Sequence, residues 1–256
     1  MADGIGDLRI VENRRFEDYR SLKQAFQHRH TKEILCRINQ TSTAAAAELM
    51  EAGGQAHTYL AAEGNGNVRA EGVDTAGCRA KDMYLEYLDH AGDIQTATVA
   101  TAGDSTTETV IAADYESTRM FYSTTEAVAD HQWWLCNDAG NAFYQVIQDG
   151  RKYAATSHYR APNTATCRAF LGRVKITATK LQTDAADSSY QLTIAYTPKD
   201  RTNITETIDF WDILDYQPCV EIEPLTSVTF KIKKFTDANH KEVLFESSIL
   251  EVYPTE

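Results

Sequence analysis

The acidic stretch 209–215 holds the side chains best suited to acid–base or metal chemistry. Asp209, Asp212 and Asp215 recur there at intervals of three residues. Paired carboxylates serve glycosidases, and clustered carboxylates bind Ca²⁺. On a strand, however, Asp209 and Asp212 face opposite sides of the sheet, and the stretch lacks the spacing of an EF-hand. We therefore expect solvated acids at the rim of a loop.

A thiol nucleophile with its base is the second catalytic arrangement that the sequence offers. Cys136 lies five residues after His131, but such a thiol needs its base within hydrogen-bond reach. The segment 136–138 (CND) is more typical of a strand that ends in an Asx turn. His28 and His30 would point in different directions on a helix and suit no shared metal. With no HExxH, P-loop, GxSxG or dinucleotide motif either, the sequence predicts no enzyme, catalytic residue, metal or cofactor.

Adjacent tryptophans make the segment around residue 133 a candidate binding surface. Trp133 and Trp134 lie close to Tyr122, Phe143 and Tyr144. Neighbouring residues on a strand face opposite sides, so we expect one tryptophan in the core and the other exposed or in a subunit interface. The alternative is an aromatic platform that binds carbohydrate.

Composition limits the class of protein. The 256 residues are 43% hydrophobic, which is enough for a packed core. The net charge of −12 and pI near 5.0 argue against a nucleic-acid partner. No apolar run approaches the roughly 20 residues of a membrane helix, and no secretory signal is visible at the N-terminus, so no membrane partner is expected. The five cysteines form no CxxC pair and are interpreted as buried free thiols.

The charge and the apolar spacing both set the first 55 residues apart. Residues 1–40 carry eight basic and six acidic side chains, so the excess acid lies in the rest of the chain. An apolar stripe at helical spacing predicts a helix over about 16–38, and an alanine run before a glycine pair predicts another over 43–52. The sequence thus predicts an N-terminal helical arm, 1–55, that packs on its own body or docks on an acidic partner. The candidate contact residues on the arm are Phe16, Tyr19, Leu22 and Phe26.

From about residue 57 the apolar period changes to two. The segment 83–88 alternates, a turn follows at 90–93, and 94–100 returns as a hairpin partner. Further strands are predicted at 107–113, 118–124, 132–136, 142–148, 151–160, 165–171, 173–182, 189–197, 204–213, 219–223, 226–235 and 242–253. Short strands with turns between them predict a mainly β fold, an antiparallel β-sandwich of jelly-roll type over 56–256. That body is expected to be continuous, and the alternative is a body of two lobes, at about 56–160 and 161–256.

Residues 66–253 resemble a loose group of β-rich virion structural proteins from tailed phages and related prokaryotic viruses. The resemblance lies in 68–77 (VRAEGVDTAG), 83–93 (MYLEYLDHAGD) and the Thr-rich strand 95–99 (QTATV). It continues in 141–150 (NAFYQVIQDG) and 159–163 (YRAPN), and it ends in 248–252 (SILEV), which looks like a closing strand.

This resemblance implies a structural viral protein located in the virion and made in the host cytoplasm. The function expected from it is capsid decoration or cementing by a homo-oligomer. Its partners would be copies of itself and other virion proteins such as the major capsid protein. A tail or head-to-tail component is the alternative within the virion. A carbohydrate- or receptor-binding β module that uses Trp133 and Trp134 is the alternative of another class.

Overall fold

A computed structural model describes residues 29–40, 47–48, 64–70, 82–101, 109–124, 132–140, 142–147, 151–154, 158–163, 167–180, 189–199, 202–234 and 241–253. In these ranges the regular elements are seventeen strands and no helix. The strands are β1 (Arg29–Gln40), β2 (Ala47–Glu48), β3 (Gly66–Ala70), β4 (Asp82–Leu88), β5 (Ile94–Ala100), β6 (Thr109–Ala112), β7 (Ser117–Ser123), β8 (Trp133–Cys136), β9 (Phe143–Ile147), β10 (His158–Arg160), β11 (Arg168–Lys180), β12 (Ser189–Thr197), β13 (Ile204–Trp211), β14 (Ile213–Tyr216), β15 (Val220–Ile222), β16 (Ser227–Lys234) and β17 (Lys241–Val252).

The chain divides into two compact units. Residues 1–49 and 157–256 form the first, and residues 50–156 form the second. The first unit contains one ten-stranded sheet in the order β1-β17-β11-β14-β13-β12-β16-β10, with β15 also paired to β11 and β2 to β16. All of these pairs are antiparallel. The antiparallel β architecture predicted from the alternation is thereby confirmed for this unit.

The ten-stranded sheet folds back on itself. Four strands separate β17 from β16, so a flat sheet would hold the two roughly 24 Å apart at about 4.8 Å per strand. Yet the rings of Phe230 on β16 and Phe245 on β17 lie 4.8 Å apart, and both residues are fully buried. Tyr159 on β10 likewise donates a 2.7 Å hydrogen bond to Glu251 on β17. One face of the sheet therefore encloses the core of this unit, and the other face is its exterior.

The second unit is a small sandwich of two antiparallel sheets. One has the order β6-β3-β8-β9 and the other β5-β4-β7. Side chains from both sheets share one buried cluster, among them Val68 and Trp133 from the first sheet and Leu85 and Phe121 from the second. This shared core is what makes a sandwich of the two sheets. The jelly-roll order of strands stays a prediction.

Most predicted strands of the β body are confirmed. The β4–β5 hairpin pairs Met83 with Val99 as the alternation required, and β12 has the predicted bounds. On β16, Val228, Phe230 and Ile232 are fully buried, as expected. The strands predicted at 165–171 and 173–182 are one strand, β11, with a register shift between Leu171 and Arg173. A bulge at the intervening glycine bends the strand without ending it.

The predicted N-terminal helices are wrong where the structure describes them. Residues 29–40 form β1, which pairs with β17 over its whole length, Ile34 opposite Ser247. Ala47 and Glu48, inside the second predicted helix, form β2 and pair with β16. Apolar residues also recur at 34, 36 and 38, which is the period of a strand. The same segment therefore fits a helix and a strand, and its pairing with the distant strand β17 selects the strand. Phe16, Tyr19, Leu22 and Phe26 lie outside the described residues.

Candidate functional site

The outer face of the first unit carries an exposed apolar pair at the turn between β13 and β14. Along β13 the side chains alternate, so that Phe210 is buried and stacks on Tyr190 with 5.4 Å between ring centroids. Trp211, the next residue, points to the opposite face. Trp211 pairs across the turn with Ile213, and each is 64% exposed. We name Trp211, Asp212 and Ile213 the hairpin tip.

One residue, Asp212, makes the turn of the hairpin tip. Its φ of 43° lies in the left-handed region, which Asp tolerates better than β-branched or bulky residues. Its carbonyl accepts a 2.7 Å hydrogen bond from the backbone N–H of Ala178 on β11. The backbone of the turn is thus bonded to the sheet at β11.

Charged side chains flank the hairpin tip. Asp215, two residues beyond Ile213 and on the same face, accepts hydrogen bonds from Arg173 Nε at 2.9 Å and Nη2 at 2.6 Å. This bidentate contact with the guanidinium lowers the pKa of the Asp215 carboxyl. A second ion pair, Lys175 Nζ to Glu246 Oε2 at 3.4 Å, joins β11 to β17. An apolar centre with a charged rim is the arrangement found in protein–protein interfaces.

The hairpin tip has a composition that suits a contact with another protein. A single exposed Trp or Ile on a surface is ordinary, but here two exposed apolar residues are paired across a turn. Tryptophan is enriched among the residues that contribute most to binding at interfaces. The sequence interpretation weighed only the acids of this stretch. An F-W-D-I segment with apolar residues on both sides of a turn residue was the available signal.

Trp133 and Trp134, of which one was expected in the core and the other exposed or in a subunit interface, are both buried. Trp133 is 2% exposed and belongs to the sandwich core, and Trp134 is 1% exposed. Trp134 meets Phe143 edge-on, with 4.9 Å between ring centroids. The expectation that one of the pair is exposed is therefore wrong. Alternation does send the two side chains to opposite faces, but each face of β8 is covered.

The structure does not assemble the catalytic candidates. Cys136 is fully buried, its thiol 3.6 Å from the carbonyl oxygen of Asn67, and His131 lies outside the described residues. Asp209 accepts a hydrogen bond from Gln191 at 2.9 Å, whereas Asp215 is bonded to Arg173. Within the described ranges, no three His, Cys, Asp or Glu side chains form a group that could hold a metal ion.

Three of the five cysteines can be placed. Cys136, Cys167 and Cys219 are free thiols, and all three are buried. This confirms for those three the interpretation of the cysteines as small core residues.

Among the described residues there is no helix long and apolar enough to cross a membrane.

Comparison with known proteins brings few findings. No protein-family model matches the chain, and no curated protein matches it. Among solved structures, similarity is found to the VP2 subviral particle of infectious bursal disease virus, at 8% identity over 89% of this chain and 73% of that chain, with a TM-score of 0.25. The Gx strain of the same virus gives 10% identity over 90% and 72% with a TM-score of 0.23. At these values the likeness establishes neither a shared fold nor a shared function, and the phage group stays a prediction.

Proposed function

We propose that the chain is a non-catalytic structural protein of a virion, which decorates or cements a capsid as a homo-oligomer. The observation that carries the assembly part is the hairpin tip, an exposed Trp–Ile pair with the Arg173–Asp215 ion pair beside it. Its partners in this proposal are further copies of the chain and other virion proteins such as the major capsid protein. The site of action is the virion, after synthesis in the host cytoplasm.

The virion part of the proposal rests on the resemblance of residues 66–253 to tailed-phage structural proteins. The architecture is compatible with it, since layered antiparallel sheets with closed cores provide a rigid building block. The same observations serve a tail or head-to-tail component, and location in the particle separates the two. A carbohydrate-binding module would need an exposed aromatic platform, which Trp133 and Trp134 do not supply.

The assembly part is tested by the mass of the full chain in solution. We expect sedimentation velocity at micromolar concentration to show a discrete oligomer, and the double variant W211S/I213S to sediment as a monomer with an unchanged circular dichroism spectrum. Val110→Ser is the matched control, because Val110 is 54% exposed but lies in the second unit, away from the tip in sequence and sheet. If the wild type is still a monomer at 100 times the micromolar concentration, or if W211S/I213S is still an oligomer, the hairpin tip is not the assembly contact.

The virion part has its own test. Purified particles cross-linked and digested are expected to yield peptides of this chain joined to the major capsid protein. Cross-links to tail proteins alone would favour the tail alternative. Absence of the chain from particles that carry all other structural proteins would refute the proposal.

A further inference from the structure

A cleft opens in the first unit where β13 separates from β14 and β15. Strands β13 and β14 pair only at Trp211 and Ile213. From there β13 follows β12, whereas β14 and then β15 follow β11. The cleft between them has a volume of about 430 Å³, which lies within the range of pockets that enclose whole small ligands. Its apolar walls come from Pro198, Ile204, Val220 and Ile222.

The exposed apolar side chains of the first unit form two groups. Among the side chains that the structure describes in this unit, four large apolar ones are exposed. Two of them, Trp211 and Ile213, belong to the hairpin tip. The other two, Ile204 and Val220, line the cleft. One group stands on a turn and the other lines a depression, so this unit presents both halves of an apolar contact.

The hairpin tip cannot enter the cleft of its own chain. Ile204 and Trp211 are the two ends of β13, whose pairing with β12 has no register shift. At about 3.3 Å per residue the two ends lie roughly 23 Å apart along the strand, and residues an odd number of positions apart face opposite sides of it. This distance exceeds the reach of a side chain. A hairpin tip that fills such a cleft therefore belongs to a second copy of the chain.

We propose that the cleft of one copy receives the hairpin tip of the next copy. In this contact Trp211 lies between Ile204 and Val220 of the neighbouring molecule. The inference rests on the proposed homo-oligomer and names the surface that its hairpin tip contacts. Because tip and cleft face opposite sides of β13, a copy whose tip is bound keeps its own cleft open for a third copy. Such a head-to-tail contact builds a ring or a filament.

The contact is favourable because it removes exposed apolar surface of both partners from water. A tryptophan side chain in an apolar pocket is a common anchor of protein interfaces. Two carboxylates of the lining already have partners, since Glu206 accepts the hydroxyl of Tyr216 and Glu221 accepts a 2.7 Å hydrogen bond from Arg168. An apolar side chain can enter beside them without breaking either contact.

Two variants of the full chain each disable one half of the contact. W211S/I213S removes the tip and keeps the cleft, whereas I204S/V220S removes two walls of the cleft and keeps the tip. All four positions are exposed, so both variants are expected to retain the circular dichroism spectrum of the wild type. In sedimentation velocity each variant alone is expected to associate at least about tenfold more weakly than the wild type. Val110→Ser, in the second unit, is the matched control and is expected to assemble normally.

An equimolar mixture of the two variants distinguishes a tip-in-cleft contact from a tip-to-tip contact. We expect the mixture to form a species of two chains, because the tip of I204S/V220S enters the intact cleft of W211S/I213S. The remaining tip and cleft of that pair are disabled, so growth stops at two chains. In a tip-to-tip contact, I204S/V220S alone would assemble like the wild type and the mixture would form no such pair.

These outcomes separate the inference from the proposal on which it rests. Wild-type assembly of I204S/V220S would overturn the tip-in-cleft contact and leave the proposed homo-oligomer in place. A wild type that stays monomeric would refute both.

A photochemical cross-link locates the contact if I204S/V220S does not fold. The variant Trp211→benzoylphenylalanine, labelled with heavy isotopes, is mixed with unlabelled wild type and irradiated. Mass spectrometry is expected to find position 211 of the labelled copy joined to 202–206 or 220–226 of the unlabelled one. Cross-links between copies that reach only 209–215, or none at all in a sample that sediments as an oligomer, would contradict the tip-in-cleft contact.

Discussion

At the scale of single residues, environment separates side chains that the sequence presents as equals. The chain has three tryptophans, of which Trp133 and Trp134 are buried and Trp211 is 64% exposed. Each occurs in a short apolar segment, so the residue type alone does not predict which tryptophan is exposed. What decides is which faces of a strand another part of the fold covers, and that is a property of contacts distant in sequence.

The tryptophans provide the first prediction. Trp133→Ala removes a large side chain from the sandwich core and is expected to lower the free energy of unfolding by about 3–5 kcal/mol. Trp211→Ala removes an exposed one and is expected to change it by less than about 0.5 kcal/mol. Urea unfolding followed by circular dichroism measures both. Equal losses in the two variants would contradict the placement of these residues.

Asp215 provides a prediction of pH dependence. Its pKa in the folded chain is lowered, chiefly by the hydrogen bonds from Arg173, so the pair stabilises the fold above the unfolded-state pKa of about 3.9 and loses its effect as the pH falls below it. Both side chains are about 40% exposed, which keeps the contribution under about 1 kcal/mol. The advantage of wild type over Asp215→Asn in urea unfolding should therefore be present at pH 6 and reduced at pH 3. An advantage that grows toward pH 3 would have the wrong sign.

At the scale of elements, the strands with a clear alternation were predictable and the N-terminal element was not. In β12 and β16 the alternation of apolar and polar residues agrees with the burial, and turn residues mark the ends. In 29–40 the apolar residues fit both a helical and a strand period. All twelve residues of this segment pair with β17. β14 was missed because it is four residues long and follows a one-residue turn.

Proline substitution distinguishes a strand from a helix in β1. Among the described strands, β1 lies at the edge of its sheet, so only alternate N–H groups of β1 bond to β17. Proline is therefore expected to lower the melting temperature strongly at every second position between 33 and 37 and only slightly at the positions between them. In a helix interior each proline would cost about 3 kcal/mol. The melting temperature of each proline variant, compared with alanine at the same position, measures the pattern. A large loss of melting temperature at every position would indicate that residues 33–37 are helical.

The turn at the hairpin tip yields a prediction about backbone conformation. Asp212 has a φ of 43°, which a β-branched residue adopts only at a cost of about 1–2 kcal/mol. Asp212→Val is thus expected to lower stability by that amount in urea unfolding, while Asp212→Asn remains within about 0.5 kcal/mol of wild type. A neutral valine would show that the turn does not require the left-handed region.

At the scale of the whole molecule, the two units differ in how the chain builds them. The second unit is continuous in sequence, and its sandwich core is drawn entirely from residues 50–156. The first is assembled from both ends of the chain, since β1 and β2 join strands that follow residue 157. An independent core is the property that lets a segment fold by itself.

A fragment tests this independence. Residues 50–156 expressed alone are expected to give dispersed amide resonances in NMR and a cooperative thermal transition, because every member of the buried cluster is retained. The matched fragment 157–256 lacks β1 and leaves the long β17 edge unpaired, so it is expected to be less soluble. A collapsed amide spectrum for 50–156 would mean that its core depends on the rest of the chain.

The sequence by itself determined the mainly β class, the antiparallel pairing and most strand positions. These follow from a period of two and from turn residues, which act over a few neighbours. Tertiary structure alone decided that residues 29–40 are a strand, that Trp133 and Trp134 are both covered, and that Trp211 and Ile213 are not. It also decided that β13 and β15 separate to form a cleft. Each of these depends on which distant strand packs against or pairs with a position. The spacing of apolar residues within a segment does not specify that distant strand.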